Sequence, residues 1–423
     1  MNIAIVGSGI AGNVAAYHLA REHEITVFEA GAHVGGHTNT IDVELDGERH
    51  AVDTGFIVFN DWTYPNFIRL IDELGVAWHD SDMSFSVKCE RTGLEYNGST
   101  LNSLFAQRRN LFRPSFHRMI RHILRFHREA PAMLADDAPD LTLGEYLAQN
   151  GYSREFRDHY IVPMGAAIWS ADPGAFDHIP ARFFIRFFDN HGMLSVDDRP
   201  TWRVITGGSA RYVEKLTAGF ADRIRLDSPV EKVVRHDDHV EVHSRHGVER
   251  FDAIFLACHS DQALSLLADP TPAEREVLGA IRYQPNEAVL HTDTSLMPRR
   301  KLAWAAWNYH LLRETRDRVA LTYNMNILQG LPTDRQFMVT LNHTEAIDPR
   351  RVIEVVQYEH PVFTPEAVAA QQRHGEIDGA KRTYYCGAYW RNGFHEDGVV
   401  SALDAVNHFN EAMYEELYLR RAG

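Results

Sequence analysis

The first thirty residues predict two short strands on either side of a helix. Residues 3–6 form an uninterrupted apolar run of strand length, residues 13–21 carry apolar positions at helical spacing, and residues 25–29 indicate a second strand that ends at Glu29. A strand, a helix and a second strand in this order are typical of a βαβ unit, in which the two strands are parallel. We therefore expect an α/β fold that begins with a parallel sheet.

A glycine-rich turn separates the first strand from the helix, and it contains Gly7, Ser8, Gly9, Ile10, Ala11 and Gly12. Gly7 permits a tight turn, Gly9 lets the backbone touch a pyrophosphate, and Gly12 allows the helix to pack closely on the strand. The N-terminus of the helix adds amide donors and a positive dipole. Glu29 ends the second strand 17 residues after Gly12, where a carboxylate can accept the ribose hydroxyls. These features predict a dinucleotide-binding site.

A second glycine pair follows the second strand. Directly after Glu29 the chain continues with Ala30 and then, a few residues later, with Gly35, Gly36, His37 and Thr38. This pair would bring another stretch of bare backbone against the same cofactor, which an ordinary nicotinamide dehydrogenase does not need. The segment resembles the extended fingerprint of the FAD-dependent amine oxidase superfamily, the flavin-containing amine oxidoreductases. The resemblance implies that the cofactor is FAD.

Further segments carry the same resemblance. Residues 251–257 are similar to a late strand of the family's FAD domain, and residues 383–406 resemble its C-terminal flavin segment. The resemblance implies that Thr54, Gly55 and Phe56 lie near the flavin ring and that Val230 contacts adenine through its backbone. In the C-terminal segment it implies contacts to FAD from Gly387, Asp397, Gly398, Val399 and Ala402. A helix that begins near Gly398 would point its N-terminal amides at the pyrophosphate.

The implied architecture has two discontinuous parts. A Rossmann-like FAD-binding domain of the GR2 type would comprise residues 1–78, 200–280 and 375–423. An interleaved α+β substrate-binding domain would comprise residues 79–199 and 281–374. Only one glycine fingerprint occurs in the sequence, so the separate NADPH-binding domain of disulfide-reductase-type flavoenzymes is not expected.

A narrower resemblance concerns the substrate. Residues 163–170, 290–293 and 323–329 resemble internal motifs of a bacterial group of flavin oxidoreductases associated with cyclopropane-fatty-acid-synthase-like methyltransferases. That likeness implies a methyl-branched or unsaturated fatty acyl chain of a membrane phospholipid as substrate, and a lipid methyltransferase as partner. The implied reaction is desaturation by hydride transfer to FAD N5, as in furan fatty acid biosynthesis. Isomerisation or reduction of a double bond stays open, as do amine or polyamine oxidation and a non-catalytic role beside the methyltransferase.

Lysine and cysteine positions bear on these alternatives. Amine oxidases of the superfamily normally place a lysine near flavin N5, yet no lysine occurs between Lys232 and Lys301. This departure argues against amine oxidation unless Lys301 takes that role. Cys386 precedes Gly387 and does not lie in the anchoring motif of monoamine oxidases, which predicts noncovalent FAD and a buried structural thiol.

Candidates for proton transfer are Tyr309, His310 and His291. His291 and Asp293 share one face of a predicted strand, where they could form a hydrogen-bonded core pair or an acid–base pair. Aromatic residues that could line an apolar pocket over the flavin, or pack in the core, are Trp169, Tyr309, Tyr323 and Trp390.

Composition limits the partners and the location. Lys and Arg number 43 against 58 Asp and Glu, so the 423-residue chain has a formal net charge of −15, and nucleic acid is not an expected partner. Three widely spaced cysteines without a CxxC pair argue against a disulfide framework or a cysteine-built metal site. The first residues lack the pattern of an export signal, and no uninterrupted apolar run of about 18 residues occurs. We expect a cytoplasmic protein.

A basic segment interrupts this acidic background. Residues 107–128 contain no acid, and their seven arginines are Arg108, Arg109, Arg113, Arg118, Arg121, Arg125 and Arg128. Apolar residues recur there at helical spacing, at Phe112, Phe116, Met119, Ile120 and Ile123. The pattern predicts a helix that contacts an anionic membrane surface, with the protein peripheral on the inner face of the cytoplasmic membrane. The alternative is a helix that packs on its own domain and exposes a basic face.

Histidines cluster between residues 236 and 246. The valines at positions 233, 240 and 242 predict a two-stranded hairpin with Asp237 and Asp238 at its turn. We therefore favour a solvated turn over a metal site, and we expect no metal.

Overall fold

The computed structural model describes residues 1–45, 47–314 and 316–422, and for residues 415–422 it describes the backbone alone. Over this range the strands are β1 (Asn2–Val6), β2 (Glu24–Phe28), β3 (Thr40–Leu45), β4 (Glu48–Asp53), β5 (Val58–Asn60), β6 (Trp78–Asp80), β7 (Phe85–Cys89), β8 (Leu94–Asn97), β9 (Trp202–Ile205), β10 (Ile224–Arg225), β11 (Val230–Arg235), β12 (Val240–Ser244), β13 (Gly247–Phe251), β14 (Ala253–Leu256), β15 (Arg282–His291), β16 (Trp307–Leu311), β17 (Leu321–Asn324), β18 (Met338–Leu341), β19 (Val352–Val362) and β20 (Thr383–Tyr385). The helices are α1 (Ile10–Leu19), α2 (Pro65–Glu73), α3 (Leu101–Leu104), α4 (Pro114–Glu129), α5 (Leu143–Gln149), α6 (Arg154–Phe156), α7 (Val162–Trp169), α8 (Ala181–Asn190), α9 (Ala210–Thr217), α10 (Ser260–Leu266), α11 (Pro272–Ala280), α12 (Met325–Leu328), α13 (Pro365–Gln371) and α14 (His395–Ala422).

A five-stranded parallel sheet has the order β10-β2-β1-β14-β20. Side chains alternate along the central strand β1, so Ile3 and Ile5 point to one face of the sheet and Ala4 and Val6 to the other. The first face packs against α1, α9 and α14, and the second packs against β12, α10 and α11. Both faces of the sheet are therefore buried. The predicted βαβ start is confirmed, and the fold is of the predicted α/β class.

A seven-stranded sheet has the order β19-β15-β18-β17-β16-β7-β8. Its strands come from two distant parts of the chain, residues 85–97 and 282–362. The helices α4 to α8 supply aromatic side chains to the core on one face of this sheet, including the fully buried Phe126, Phe156, Phe184 and Phe188. The chain thus passes repeatedly between the two large sheets, and the predicted domain boundaries stay a prediction.

Smaller sheets complete the fold. Strands β5, β9 and β6 form one, β3 and β4 form a hairpin, and β11, β12 and β13 form an antiparallel meander. The predicted hairpin corresponds to β11 and β12, which are joined at Asp237 and Asp238.

The basic segment folds as a turn at Arg108–Phe112 followed by α4. Phe116 and Met119 are buried in the core, and Ile120 and Ile123 pack partly buried against it. Of the five apolar positions in the predicted stripe, only Phe112 is exposed, at 87%. The stripe is therefore the inner face of the helix, and these buried positions cannot contact a membrane. Among the described helices, none has the length and hydrophobicity needed to cross a bilayer.

A buried ion pair joins three elements beside the parallel sheet. The Arg235 guanidinium, on β11, donates to both carboxylate oxygens of Glu274, on α11, at 2.5 and 2.9 Å, and neither side chain is exposed. The Tyr385 hydroxyl, on β20, donates to the same carboxylate at 2.6 Å. Burial raises the pKa of the Glu274 carboxyl, but the hydrogen bonds outweigh this effect and the pKa lies below its ordinary value.

We predict that Glu274→Ala lowers the free energy of unfolding by about 3–5 kcal/mol, because it removes the only fully buried carboxylate paired with the Arg235 guanidinium and leaves the partly exposed Asp269, at 3.0 Å, as its one remaining described counter-charge. Urea unfolding at neutral pH measures the change. The matched control is Glu214→Ala, which removes an exposed i, i+3 partner of Arg211 and costs less than about 1 kcal/mol. Equal losses in the two variants would contradict the prediction. Because the pKa of Glu274 is depressed in the folded state, its contribution is present at neutral pH and is lost as the pH falls.

Candidate active site

A cavity of about 1100 Å³ lies between the parallel sheet and the seven-stranded sheet. Its glycine end is lined by residues that follow the parallel strands, among them Gly7, Glu29 and Ala257. Its aromatic end reaches Phe85 on β7 and Tyr96 on β8. Small-molecule sites commonly measure ~300–1,000 Å³, so this cavity has room for a dinucleotide and a second molecule. The carboxyl edge of a parallel sheet is where open α/β folds bind ligands.

Side chains are excluded from part of the glycine turn at this edge, because backbone atoms occupy the space that they would need. Gly7 has φ +101°, and a Cβ on Gly12 would lie 1.9 Å from the Gly7 carbonyl oxygen. A Cβ on Gly9, in contrast, would meet no atom within 4 Å, because Gly9 faces the cavity. Gly36 lies against Gly9, with a Cβ position 3.1 Å from the Gly9 Cα. The two glycine pairs therefore form one cradle of bare backbone.

The Glu29 carboxylate connects the first glycine turn to the segment that follows β2. One carboxylate oxygen accepts hydrogen bonds from the Ser8 amide at 2.9 Å and the Ser8 hydroxyl at 2.5 Å. The other accepts from the Gly31 amide at 2.7 Å. The side chain lines the cavity, so it orders the turn and still faces a ligand.

A histidine cluster lies on the wall beside the cradle. His37 stacks on Tyr358, with ring centroids 4.9 Å apart, and its ring lies 5.2 Å from that of His360. Burial, and to a smaller extent the neighbouring His360 and His259, lowers the pKa of His37 to about 3. Its Nε2 is buried without a hydrogen-bond partner among the described residues. An orphaned polar atom on a cavity wall fits a bound ligand with polar groups.

The aromatic end has a different character. Its aromatic lining consists of Phe85, Tyr96, Tyr160, Trp169, Phe187, Trp202, Trp307, Tyr323, Phe363 and Phe394. The carboxylates that line the whole cavity are Glu29, Asp80, Asp82 and Glu359. Asp80 and Asp82 are exposed at the surface, and Glu359 lies 3.2 Å from His259. Among the described residues no lysine lines the cavity, and the aromatic end has no buried carboxylate.

Comparison with protein families matches residues 10–326 to the flavin containing amine oxidoreductases. The chain belongs to this family. The cofactor of this flavin containing amine oxidoreductase is accordingly FAD, as predicted, and the glycine cradle, Glu29 and the orphaned His37 nitrogen fit such a group. Cys386 is fully buried and does not line the cavity, in agreement with noncovalent attachment. Burial also raises the pKa of its thiol above the ordinary value.

Solved structures with the same fold share little sequence with this oxidoreductase. Cyclohexylamine oxidase from Brevibacterium oxydans superposes with a TM-score of 0.71 at 16% identity, covering 98% of this chain and 99% of its own. A CLA-producing fatty acid isomerase from P. acnes gives 0.67 at 17% identity, covering 96% and 98%. A reduced UDP-galactopyranose mutase gives 0.69 at 13% identity, covering 97% and 94%. A search of curated proteins finds no match.

Many of the predicted FAD-binding residues line the cavity. They are Gly7, Ser8, Gly9, Ile10, Ala11, Glu29, Ala30, Gly35, Gly36, His37, Gly55, Phe56, Val230 and Gly387. Gly12 lies behind the turn, where it lets α1 approach the Gly7 carbonyl group. Thr38 and Thr54 also lie behind the wall: the Thr38 hydroxyl contacts the Tyr212 hydroxyl at 2.5 Å, and that of Thr54 contacts the Tyr358 hydroxyl at 2.8 Å.

The predicted contacts from the last helix lie outside the cavity lining. α14 begins at His395, three residues before Gly398, and Asp397 accepts from the Phe394 amide at 2.9 Å and the Asn392 amide at 3.2 Å. Burial raises the pKa of Asp397 to about 7. A Cβ on Gly398 would lie 2.6 Å from Ile10 Cγ2, so the helix packs directly on the start of α1. Val399 and Ala402 are buried in the core of the parallel sheet.

The three candidates for proton transfer are not among the cavity-lining residues. His310 and His291 point away from the aromatic end, into a buried chain of hydrogen bonds. His310 Nε2 contacts Thr322 Oγ1 at 2.8 Å, Thr322 contacts Thr340 at 2.8 Å, and Thr340 contacts His291 Nε2 at 2.7 Å. Burial lowers the pKa of His291 to about 4 and also lowers that of His310. This placement does not support direct contact with a substrate.

Tyr309 lies on β16 and is buried in the core, where β16 contacts α7. Of the four predicted pocket aromatics, Trp169 and Tyr323 line the cavity, whereas Tyr309 and Trp390 do not. Trp390 stacks on His374 with ring centroids 3.9 Å apart. Asp293 follows β15, and its amide donates to His291 Nδ1 at 3.0 Å, which makes the two residues a core pair.

His191 was not a sequence candidate, although it lines the cavity. Its Nδ1 lies 2.9 Å from the Phe187 carbonyl oxygen and its Nε2 lies 3.2 Å from Thr63 Oγ1. Burial lowers its pKa to about 4, so the imidazole is neutral at neutral pH. The sequence around it, Asn190-His191-Gly192, has no catalytic pattern that could have identified it.

The histidine-rich hairpin brings His236, His239 and Glu241 together, with ligand atoms within 4.8 Å of one another. The Glu241 carboxylate lies 3.6 Å from each of these imidazoles and 3.6 Å from the Arg250 guanidinium. The positive charge of Arg250 opposes binding of a cation at this carboxylate. None of these residues lines the cavity, although Val230 at the start of β11 does.

We predict that Gly9→Val preserves the fold but lowers the affinity for FAD at least about tenfold, or about 1.4 kcal/mol. The reason is that the new side chain enters only the ligand space, since no protein atom lies within 4 Å of the Cβ. The flavin absorbance per protein measures binding, and the thermal midpoint of flavin-free protein measures the fold.

The matched control is Gly12→Val, whose side chain would collide with the Gly7 carbonyl oxygen at 1.9 Å. This variant should lose both flavin and thermal stability. Full flavin retention by Gly9→Val would show that the cradle does not hold the cofactor.

Proposed function

We propose that this protein oxidises a fatty acyl chain, methyl-branched or unsaturated, of a membrane phospholipid, and that the reaction is a desaturation. The observation that carries the proposal is the aromatic end of the cavity, which has a long apolar lining and no buried carboxylate. A hydrocarbon chain gains free energy when it leaves water for such a lining, at about 0.8 kcal/mol per methylene group.

The charge of the cavity favours an acyl chain over an amine. A protonated amine carries a positive charge, and burying it requires a carboxylate or another partner. The exposed Asp80 and Asp82 lie where the cavity meets the surface, so they do not compensate a charge at the aromatic end. Amine or polyamine oxidation is the second candidate, and its support is the fold shared with cyclohexylamine oxidase.

The position of Lys301 agrees with this choice. Its ammonium group lies 5.9 Å from the centre of the Trp304 ring in an exposed turn, and it does not line the cavity. The lysine that the family resemblance associates with amine oxidation therefore has no counterpart among the described cavity residues. The fold shared with a fatty acid isomerase supports a fatty acyl substrate and keeps double-bond isomerisation as a variant of the same proposal.

The desaturation removes two hydrogens from adjacent carbons as a double bond forms. FAD, when bound, supplies the two-electron acceptor that this oxidation needs, and O2 or a quinone then takes the electrons. The protein binds the chain, excludes water with its aromatic lining and holds the adjacent carbons in place. Tyr309, His310 and His291 lie behind the lining, so any part they take in proton transfer would be indirect.

We predict that incubating the purified protein with methyl-branched phospholipids and air lowers the acyl mass by two hydrogens, as measured by mass spectrometry. Met164→Trp should reduce this conversion at least about tenfold, because the larger ring fills the aromatic end that Met164 lines. Flavin content should stay unchanged, since Met164 lies on α7 and is not part of the glycine cradle.

The matched control is Val248→Trp, which adds the same ring at an exposed position on β13. Unchanged mass with a shifted double bond would replace desaturation by isomerisation. A gain of two hydrogens, seen when a chemical reductant of the flavin is supplied in place of air, would replace it by reduction. Peroxide release with amines but not with lipids would assign amine oxidation. A lipid pool that this protein alone leaves unaltered, but that a lipid methyltransferase modifies only when this protein is present, would favour the non-catalytic role beside that enzyme.

A further inference from the structure

Large apolar side chains are exposed together in one region of the surface. Phe112 is 87% exposed and Leu101 is 78% exposed, and Leu111, Leu124 and Leu302 are exposed as well. Four of these five residues belong to α3, α4 and the turn between them, and the fifth belongs to the turn at Lys301–Ala303. Exposed apolar residues that occur singly need no explanation, but a group of them marks an interaction site.

Hydrogen bonds hold these segments against one another. The Arg108 guanidinium donates to the Phe105 carbonyl oxygen at 2.8 Å, and His117 Nε2 lies 2.8 Å from the Leu111 carbonyl oxygen. α3 packs against the turn at Lys301–Ala303, and the Asn97 amide group donates to the Trp304 carbonyl oxygen at 2.8 Å. Two distant parts of the chain therefore form one rigid surface, which we call the basic apolar patch.

The charged residues within the segments that form the patch are predominantly basic. No acidic residue occurs between positions 96 and 128 or between 298 and 303, whereas Arg299, Arg300 and Lys301 are exposed. Arg108 and Arg109 donate to carbonyl and amide oxygens, and no described carboxylate pairs with either of them. On a chain whose formal net charge is −15, this concentration of positive charge is a local exception.

The exposed face of α4 continues the patch. Its exposed positions follow helical spacing and comprise Pro114, His117, Arg118, Arg121, Leu124 and Arg128. Arg118 pairs with Glu155 at 2.7 Å and Arg128 pairs with Glu129 at 3.0 Å. The guanidinium of Arg121 has no carboxylate partner among the described residues.

The cavity opens beside this patch. Gly98 and Ser99 line the aromatic end, are exposed, and precede the exposed Leu101 by three and two residues, respectively. A molecule that enters here starts beside α3 of the patch and then reaches the aromatic lining.

We propose that the basic apolar patch docks this protein on an anionic phospholipid bilayer. Phe112 and Leu101 would enter the boundary between headgroups and acyl chains, and the arginines would contact lipid phosphates. An anionic bilayer matches both features of the patch, because its apolar acyl chains lie beneath negatively charged headgroups. The docking itself stands whatever the substrate is, while delivery of an acyl chain through the opening rests on the proposed function.

Flotation with lipid vesicles tests the docking without measuring turnover. The holoenzyme should float with vesicles of equimolar phosphatidylcholine and phosphatidylglycerol, and much less with phosphatidylcholine alone. Raising the salt concentration should release it, because exposed charges are screened. Charge loss should weaken binding about fivefold for each residue in Arg108→Gln, Arg109→Gln and Arg121→Gln.

The apolar contribution is tested separately with the double variant Leu101→Ser and Phe112→Ser. It should weaken flotation at least as strongly as one charge change, although its net charge is unaltered. The matched controls are Val248→Ser and Arg250→Gln, which change an exposed valine and an exposed arginine on β13 and should float like the original protein. Flavin content and thermal midpoint confirm that each variant is folded.

Three outcomes would overturn the proposal. The first is equal flotation with neutral and anionic vesicles, and the second is no flotation at low salt. The third is retention on immobilised polyglutamate with no binding to anionic vesicles, which would assign the patch to an acidic protein. Because flotation measures binding and not turnover, a failure of desaturation leaves these results interpretable.

Discussion

Backbone atoms at the carboxyl edge of the parallel sheet approach one another so closely that side chains are excluded there. The Gly12 Cβ position lies 1.9 Å from the Gly7 carbonyl oxygen, and the Gly36 Cβ position lies 3.1 Å from the Gly9 Cα. This approach sets the direction of α1, brings the second glycine pair onto the first and leaves Gly9 facing open space. The start of α14 then packs on Ile10, so three distant segments meet at the glycine end of the cavity.

The lining of the cavity changes from polar at this edge to apolar at the opposite end. Amide donors, the Glu29 carboxylate and the unpartnered His37 nitrogen lie at one end of the cavity, and aromatic side chains line the other. Buried polar groups need hydrogen-bond partners, whereas an apolar lining binds an apolar ligand favourably because both surfaces leave water. At its aromatic end the cavity meets the surface at Gly98 and Ser99, beside the basic apolar patch. The apolar interior therefore opens next to exposed apolar side chains.

Local pattern was sufficient to predict the features that backbone geometry imposes. The βαβ start, the glycine turn and Glu29 follow from requirements that act within about thirty residues, and the structure has them where the sequence predicts. The residues Thr38, Thr54 and Asp397 fall within matching motifs but hydrogen-bond behind the cavity wall, a distinction that depends on side-chain direction. A motif identifies a segment, not the face that each side chain takes.

Tertiary neighbours decide the remaining features, and a single chain segment does not reveal them. Trp307 and Tyr309 share one face of β16, yet only Trp307 lines the cavity, while His310 points to the other face and bonds to Thr322. The apolar stripe on α4 is covered by the core, and the exposed apolar residues are spread over α3, the outer face of α4 and two turns, so they form no single periodic stripe. His191 lines the cavity from the C-terminal end of α8, where its ring stacks on Trp202 of β9 with ring centroids 6.2 Å apart.

The most direct test of the central claim, that a hydrocarbon chain is oxidised at this FAD site, is an anaerobic titration followed by visible absorption. The account predicts that a methyl-branched phospholipid bleaches the absorbance of the bound flavin and that admitting O2 or a quinone restores it, while amines leave the spectrum unchanged. Bleaching by amines alone, or an unchanged flavin spectrum with every lipid, would contradict it.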